Sequence, residues 1–264
     1  MFKRLLRREE ERDVELIEGA VIRTPKIVSS ILVEKISKLY ALPSHLKRIK
    51  HDPTDRNFLF ILISVNSVNN KNIENLLKNE TLNSISISNV SYLPIPKYPP
   101  VTNTQFSIAK EIWPCKFYPI KDRFGYSYSN EYFKNIIEIL KKNISNNACC
   151  SETCLIIDPS CNSILSIEND EKNILKHAIF KSVTEISKRQ IGYLCSGFDA
   201  FLYNEPCIAC AMALIHSRIR NVFLIKPGSG FNRPYSDLKL SYNEHLNHRY
   251  DVFILAENFN KFIF

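Results

Sequence analysis

Three residues in the second half of the chain have the types and spacing of a metal site. His177 is followed 30 residues later by Cys207 and Cys210, which form a C-x-x-C pair just after Pro206. A C-x-x-C pair at the start of a helix places both sulfurs on one side within a single turn, and the helix dipole favours their thiolate forms. An imidazole from a neighbouring helix would complete a three-ligand zinc site. We therefore predict one Zn²⁺ held by His177, Cys207 and Cys210.

The residue two positions after the histidine decides what such a site can do. Zinc nucleobase deaminases carry H-x-E followed later by P-C-x-x-C, and the glutamate moves a proton between the zinc-bound water and the base. This chain has Ile179 at that position, and isoleucine cannot carry a proton. Neither Glu171, before the helix, nor Glu185, two turns along it, replaces it convincingly. The sequence predicts a zinc site with no catalytic residue.

The region around the cysteines is similar to one known family. Residues 193–224 read YLCSGFDAFLYNEPCIACAMALIHSRIRNVFL, and residues 246–253 read LNHRYDVF. Both segments closely resemble the non-catalytic subunit of the eukaryotic heterodimeric tRNA adenosine deaminase, which has a cytidine-deaminase-like fold. IWPCKFYP at 112–119 also resembles the entry to that family's deaminase domain. The specific resemblance covers about residues 92–256.

The resemblance implies a function and a set of partners. In that family the histidine and both cysteines hold structural zinc, and an aliphatic residue stands where the catalytic subunit has glutamate; His177, Cys207, Cys210 and Ile179 match these positions. The family's enzyme converts the wobble adenosine of tRNA to inosine. The resemblance therefore implies a heterodimer with a catalytic subunit, tRNA as a further partner, and a location in the nucleus and cytoplasm.

Two alternative functions stay open at this point. The chain could be an active zinc deaminase acting on a free nucleoside or base, which activity of the purified chain would reveal. It could also be an RNA-binding adaptor that no longer has a deaminase partner, which formation of a heterodimer would argue against. The clustered thiols Cys149, Cys150, Cys154 and Cys161 are interpreted as core residues rather than a second metal site.

The elements that must position the zinc ligands alternate between helix and strand, which predicts a three-layer α/β/α sheet domain. The predicted helices are 131–144, 175–189 and 207–219, and the predicted strands are 153–159, 163–168, 199–205, 221–225 and 249–255.

The first part of the chain has a different pattern, β-α-β-β-α-β, which is that of a ferredoxin-like α+β unit. Its predicted strands are 14–23, 46–52, 58–65 and 84–93, and its predicted helices are 26–42 and 72–79. Four prolines at 92–104 predict an extended connector. We therefore predict an RNA-binding domain at 1–92, a connector at 93–111 and a zinc domain at 112–264.

Charge provides the reason to expect RNA binding in the first domain. The chain carries a net charge of +8, and residues 1–50 hold 12 Lys/Arg against 7 Asp/Glu. A basic excess permits an anionic partner without proving one. The run of Lys47, Arg48 and Lys50 predicts a contact with tRNA phosphates.

Composition excludes other classes of protein. Hydrophobic residues make up 45% of the chain, which is enough for a globular core. The apolar run Phe58 to Val65, interrupted only by Ser64, has 8 residues, whereas a membrane-spanning helix needs roughly 20. No apolar stretch of a secretory signal follows the first residues. We therefore expect no membrane partner and a reducing compartment, in which the eight cysteines are thiols or ligands.

Overall fold

The computed structural model divides the chain into two compact units. The larger unit combines Met1–Arg8 with Asp122–Phe264, and the smaller unit is Glu9–Lys121. The structure describes residues 2–65, 90–120, 128–144, 153–171, 173, 175–189, 192–228 and 231–256. None of the described helices combines the length and the apolar character needed to cross a membrane.

The described residues form ten strands and six α-helices. The strands are β1 Phe2–Arg4, β2 Leu16–Pro25, β3 Ile49–His51, β4 Phe58–Ser64, β5 Val90–Pro96, β6 Thr153–Asp158, β7 Ser163–Asn169, β8 Asp199–Asn204, β9 Asn221–Lys226 and β10 Asp251–Leu255. The helices are α1 Arg8–Glu11, α2 Lys26–Leu39, α3 Asn103–Ile112, α4 Asn130–Lys142, α5 Ala178–Arg189 and α6 Ile208–His216.

The larger unit is a six-stranded sheet with helices on both faces. Its strand order is β1-β10-β9-β8-β6-β7; β8, β9 and β10 are parallel and the other neighbours antiparallel. Because side chains alternate between the two faces of a strand, Ala200 and Leu202 pack with α5 and α6, whereas Phe201 and Tyr203 pack with α4. The predicted three-layer α/β/α architecture is confirmed.

The smaller unit has a four-stranded antiparallel sheet in the order β3-β4-β2-β5. Its first and third strands lie in the centre and its second and fourth at the edges, as in a ferredoxin-like split βαβ unit. Leu32 and Ile36 of α2 cover one face, and Leu46 and Trp113 pack on the other. The predicted helix at 72–79 lies outside the described residues.

Residues 93–111, predicted as an extended connector, contain regular structure. Pro94 and Pro96 belong to the edge strand β5, where the Lys97 N–H donates to the Glu15 carbonyl oxygen at 2.9 Å. The N–H groups of alternate residues in a strand point the same way, so positions 94 and 96 face away from β2. Proline has no N–H group, and at these two positions its absence removes no hydrogen bond from the sheet. Helix α3 follows, capped reciprocally by Thr102 and Gln105.

The start of the chain belongs to the larger unit rather than to the predicted N-terminal domain. Phe2 of β1 is paired with Leu255 of β10, and its ring packs on Phe133 and Phe223. Arg7 contacts the buried Asp251 at 3.5 Å. A strand of three residues is too short to show a period, so the sequence pattern does not predict it.

Candidate metal centre

The structure brings together the three residues predicted as metal ligands. The Nδ1 atom of His177 lies 3.1 Å from Sγ of Cys210 and 3.6 Å from Sγ of Cys207. One ligand atom from each residue lies within 4.8 Å of the others. Around a single tetrahedral Zn²⁺, nitrogen and sulfur ligands stand about 3.5 Å apart and two sulfurs about 3.8 Å apart. The donor set and its spacing therefore fit zinc.

The ligands are held at the starts of two helices on the same face of the sheet. His177 immediately precedes α5, and Cys207 is the residue before α6, with Cys210 in its first turn. His177 and Cys210 are buried, and Cys207 is half-buried. A metal at this point would join the two helix starts.

The start of α5 is fixed by a carboxylate that the sequence analysis missed. The backbone N–H of Ala178 donates to Oδ1 of Asp170 at 2.6 Å, and Asp170 is buried. The carboxylate satisfies a backbone donor that a helix start leaves without a partner inside the helix. Asp170 lies eight residues before Ala178, so it does not match the local pattern of a capping residue.

The start of α6 is fixed by a second buried carboxylate, Glu205, which lies just before Pro206. The backbone N–H groups of Tyr235 and Ser236 both donate to its Oε1 atom at 2.8 Å. The Ser236 hydroxyl donates to Oε2 at 2.7 Å and the Gly228 N–H at 3.2 Å. Glu205 therefore ties the segment after β9 to the chain that enters α6.

Two buried tyrosines form a hydrogen-bonded chain that ends on the backbone of α6. The hydroxyls of Tyr235 and Tyr250 are 2.9 Å apart, and the Tyr250 hydroxyl donates to the Ala211 carbonyl oxygen at 3.3 Å. Burial raises the pKa of both phenols well above the ordinary value. Both tyrosines therefore stay neutral and act as hydrogen-bonding supports.

Ile179 is fully buried in the apolar cluster that also contains Cys210 and Leu214. The two acids considered as replacements are engaged elsewhere. Glu171 forms ion pairs with Lys176 and Lys181. Hydrogen bonds from these two lysines, the larger contribution coming from Lys181, lower the pKa of Glu171. Glu185 pairs with Arg189 along α5. Neither Glu171 nor Glu185 belongs to the group formed by His177, Cys207 and Cys210.

The three residues predicted to bind RNA, Lys47, Arg48 and Lys50, differ in their exposure and in their hydrogen bonds. Lys47 is exposed. Arg48 instead donates to the carbonyl oxygens of Tyr40 at 2.7 Å and Leu62 at 3.0 Å, and burial lowers the pKa of its guanidinium. Lys50 donates to the Ile112 carbonyl oxygen at 2.6 Å. Two of the three predicted phosphate ligands are therefore used inside the smaller unit.

The remaining cysteines form no further metal cluster among the described residues. Cys154 is buried in the core of the larger unit, as predicted. Cys161 is exposed, so its interpretation as a core thiol was wrong, because it lies in the turn between β6 and β7. Cys149 and Cys150 lie outside the described residues.

Comparison with known proteins gives relatives of one kind. A Danio rerio protein named "probable inactive tRNA-specific adenosine deaminase-like protein 3" is 25% identical over 93% of this chain and 88% of its own length. The Schizosaccharomyces pombe "tRNA-specific adenosine deaminase subunit tad3" is 26% identical over 59% of this chain and 56% of its own length. This chain is a homologue of these proteins. The resemblance stated from the motifs is thereby confirmed.

The other comparisons add less. An Arabidopsis thaliana protein, "tRNA-specific adenosine deaminase TAD3", is 46% identical over 61 residues, which are 23% of this chain and 15% of that protein. A solved structure from a study of tRNA:A34 deaminases aligns with a TM-score of 0.35 and 17% identity, over 39% of this chain and 81% of that one. No protein-family model matches the chain.

Proposed function

We propose that this chain is the non-catalytic subunit of a heterodimeric tRNA adenosine deaminase that converts wobble adenosine to inosine. One observation carries the proposal: the His-Cys-Cys triad of a deaminase is gathered, but the buried Ile179 occupies the position of the proton carrier. Homologues named as inactive or as deaminase subunits support the same function. The alternative of an active zinc deaminase is not favoured.

The metal of the proposed subunit is a structural Zn²⁺. His177, Cys207 and Cys210 would hold it, and their donor types and separations fit that ion. When bound, it supplies a cross-link between the starts of α5 and α6. Asp170 orients the start of α5 by a hydrogen bond, and Glu205 positions the chain that enters α6.

The proposed partners are a catalytic subunit that carries the missing glutamate, and tRNA. The apolar residues left partly exposed on α6 support association through the larger unit, and the net charge of +8 supports RNA as a ligand. Location in the nucleus and cytoplasm stays a prediction.

The proposal is tested by co-expressing this chain with the glutamate-bearing subunit and measuring inosine in tRNA. We expect the pair to form inosine and the purified chain alone to deaminate neither tRNA nor free nucleosides. Deamination by the chain alone would establish the active-enzyme alternative. Failure to form a pair would favour the adaptor alternative.

A further inference from the structure

The turn of α6 that carries both cysteines is held at its two ends by one neighbouring segment. Before this turn, Glu205 accepts hydrogen bonds from the backbone N–H groups of Tyr235 and Ser236, each at 2.8 Å. After it, the Tyr250 hydroxyl donates to the Ala211 carbonyl oxygen at 3.3 Å, and the Tyr235 hydroxyl lies 2.9 Å from that of Tyr250. Tyr235 therefore links both ends, one through its backbone and the other through its side chain.

The start of α6 depends on Glu205 because no side chain caps it. Cys207 is the residue before the first turn and makes no side-chain capping bond. Pro206 alone separates Cys207 from Glu205 and has a fixed φ, so a displacement of Glu205 is passed on to Cys207. Glu205 itself is 5% exposed and also accepts from the Ser236 hydroxyl at 2.7 Å and the Gly228 N–H at 3.2 Å.

The main chain at Gly228 approaches Glu205 closely. A methyl group at position 228 would lie 3.1 Å from Cβ of Glu205 and 3.4 Å from its Oε2 atom. The first of these distances is shorter than an ordinary van der Waals contact, so a side chain at 228 would push on Glu205. The position of Glu205 is therefore defined both by its hydrogen-bond donors and by a close backbone contact.

Groups that orient the ligands of a metal commonly govern its affinity, and their mutation costs about 10–100-fold in metal binding. We propose that Glu205 is a positioning residue that sets the affinity for Zn²⁺ by holding Cys207 and Cys210 through the chain that enters α6. Since coupling between two sites is reciprocal, the metal in turn stabilises the hydrogen bonds of Tyr235 and Ser236. This inference rests on the metal of the proposed function, and on neither tRNA nor the catalytic subunit.

The proposal is tested by measuring the affinity of the full chain for Zn²⁺ in competition with a chromophoric chelator. We expect Glu205→Ala to weaken zinc binding by about 10–100-fold. Glu205→Gln keeps an oxygen acceptor for the two backbone N–H groups, so it should weaken binding less. Asp237→Ala is the matched control, because the Asp237 carboxylate bonds with Arg233, at 2.7 and 3.1 Å, rather than with α6. It should bind zinc as the parent does.

Two further measurements separate positioning from a general effect on stability. With Co²⁺ as the probe, the absorption bands of the metal–thiolate site should shift in Glu205→Ala and not in Asp237→Ala. Zinc should slow hydrogen exchange of the Tyr235 and Ser236 amides in the parent, and slow it less in Glu205→Gln.

Parent-like zinc affinity in both Glu205 variants, or amides at 235 and 236 that do not respond to zinc, would overturn the positioning role. If Glu205→Ala does not fold, Glu205→Gln and Gly228→Ala, which crowds Glu205, decide by the same measurements. A parent chain that binds no zinc would overturn this role together with the metal of the proposed function. Intact zinc effects without inosine formation by the co-expressed pair would remove the proposed function and support the role of Glu205.

Discussion

Ile179 is the side chain that separates the proposed metal site from an active site. Its neighbours His177 and Cys210 are positioned as ligands, while Ile179 itself is packed in the apolar cluster behind them. The aliphatic residue contributes to the packing of α5, so the position has acquired a structural role where a deaminase needs a proton carrier.

For this reason Ile179→Glu should not produce an active deaminase. A carboxylate in this cluster would be buried without a partner, so we expect the free energy of unfolding to fall by about 2 kcal/mol or more. Ile179→Val, which keeps the shape, should cost about 1 kcal/mol. Chemical unfolding and a deamination assay of both variants provide the measurements. An active, stable Ile179→Glu protein would show that only the proton carrier was missing.

Removing one ligand should release the metal. We expect metal analysis of Cys207→Ser to show about one equivalent of zinc less per chain than the parent. A lower melting temperature should accompany this loss, because the metal binds the folded chain and stabilises it. Cys161→Ser is the matched control, since Cys161 is an exposed thiol outside the triad. Full zinc content in Cys207→Ser would remove Cys207 from the ligand set.

At the scale of elements, the smaller unit uses cations as internal supports. Arg48 lies between the end of α2 and strand β4 and donates to carbonyl oxygens of both regions. Lys50 donates to the carbonyl oxygen of Ile112, the last residue of α3. Because both side chains bind carbonyl groups inside the smaller unit, they contribute to its stability rather than to an open basic surface.

Arg48 and Lys47 should therefore respond differently to alanine. We expect Arg48→Ala to lower the free energy of unfolding by about 1–3 kcal/mol, because it removes the hydrogen bonds of a charged donor to the carbonyl oxygens of Tyr40 and Leu62. Lys47→Ala should leave stability unchanged and lower the salt slope of tRNA binding by the pair by about 0.7–0.9. Thermal unfolding and binding titrations at several salt concentrations measure both effects. An unaltered slope for Lys47→Ala would place the RNA surface elsewhere.

The helices and long strands could be predicted because periodicity is a local property. Helix α4 presents Phe133, Ile136, Ile137 and Leu140 on one face, and that spacing is visible in the sequence. Helix α3 carries a readable signal, the capping box from Thr102 to Gln105, but the prolines before it favoured a connector.

Long-range contacts account for what the sequence could not show. The bond from Lys50 to the Ile112 carbonyl spans 62 positions, and that from Tyr235 to Glu205 spans 30. A lysine with an internal partner and one on an open surface are the same letter, so the charge of Lys47, Arg48 and Lys50 could not show which of them bind inside the unit. The grouping of His177, Cys207 and Cys210 could be predicted because their residue types and order carry the information directly.

At the scale of the whole molecule, helix α6 carries the surface that we propose for the partner subunit. Leu214 and Ile215 are buried, whereas Met212 is only partly buried and Ile208, one turn before it, is 46% exposed. Apolar residues repeated at this spacing form a stripe that a second subunit can cover. The first turn of α6 therefore adjoins both cysteines of the candidate metal site, and the same helix carries the proposed association surface.

Met212→Lys should weaken the proposed heterodimer without unfolding the chain. We expect the dissociation constant of the co-expressed pair to rise at least about tenfold, since a charge would be buried at the interface. Leu39→Lys, at a 63% exposed position in the smaller unit, is the control. Size-exclusion chromatography with light scattering gives the mass of each pair. A Met212→Lys pair that stays intact at sub-micromolar concentration would exclude this face of α6.

The pairing of Phe2 with Leu255 has a consequence for synthesis. A ribosome releases the first strand long before its partner exists, whereas every described strand of the smaller unit has emerged by Pro96. The smaller unit can therefore fold while β1 still waits, since domains generally fold as units during translation. The larger sheet gains its edge strand β1 only when residues 251–255 have left the ribosome, so β1 is paired long after it has been translated.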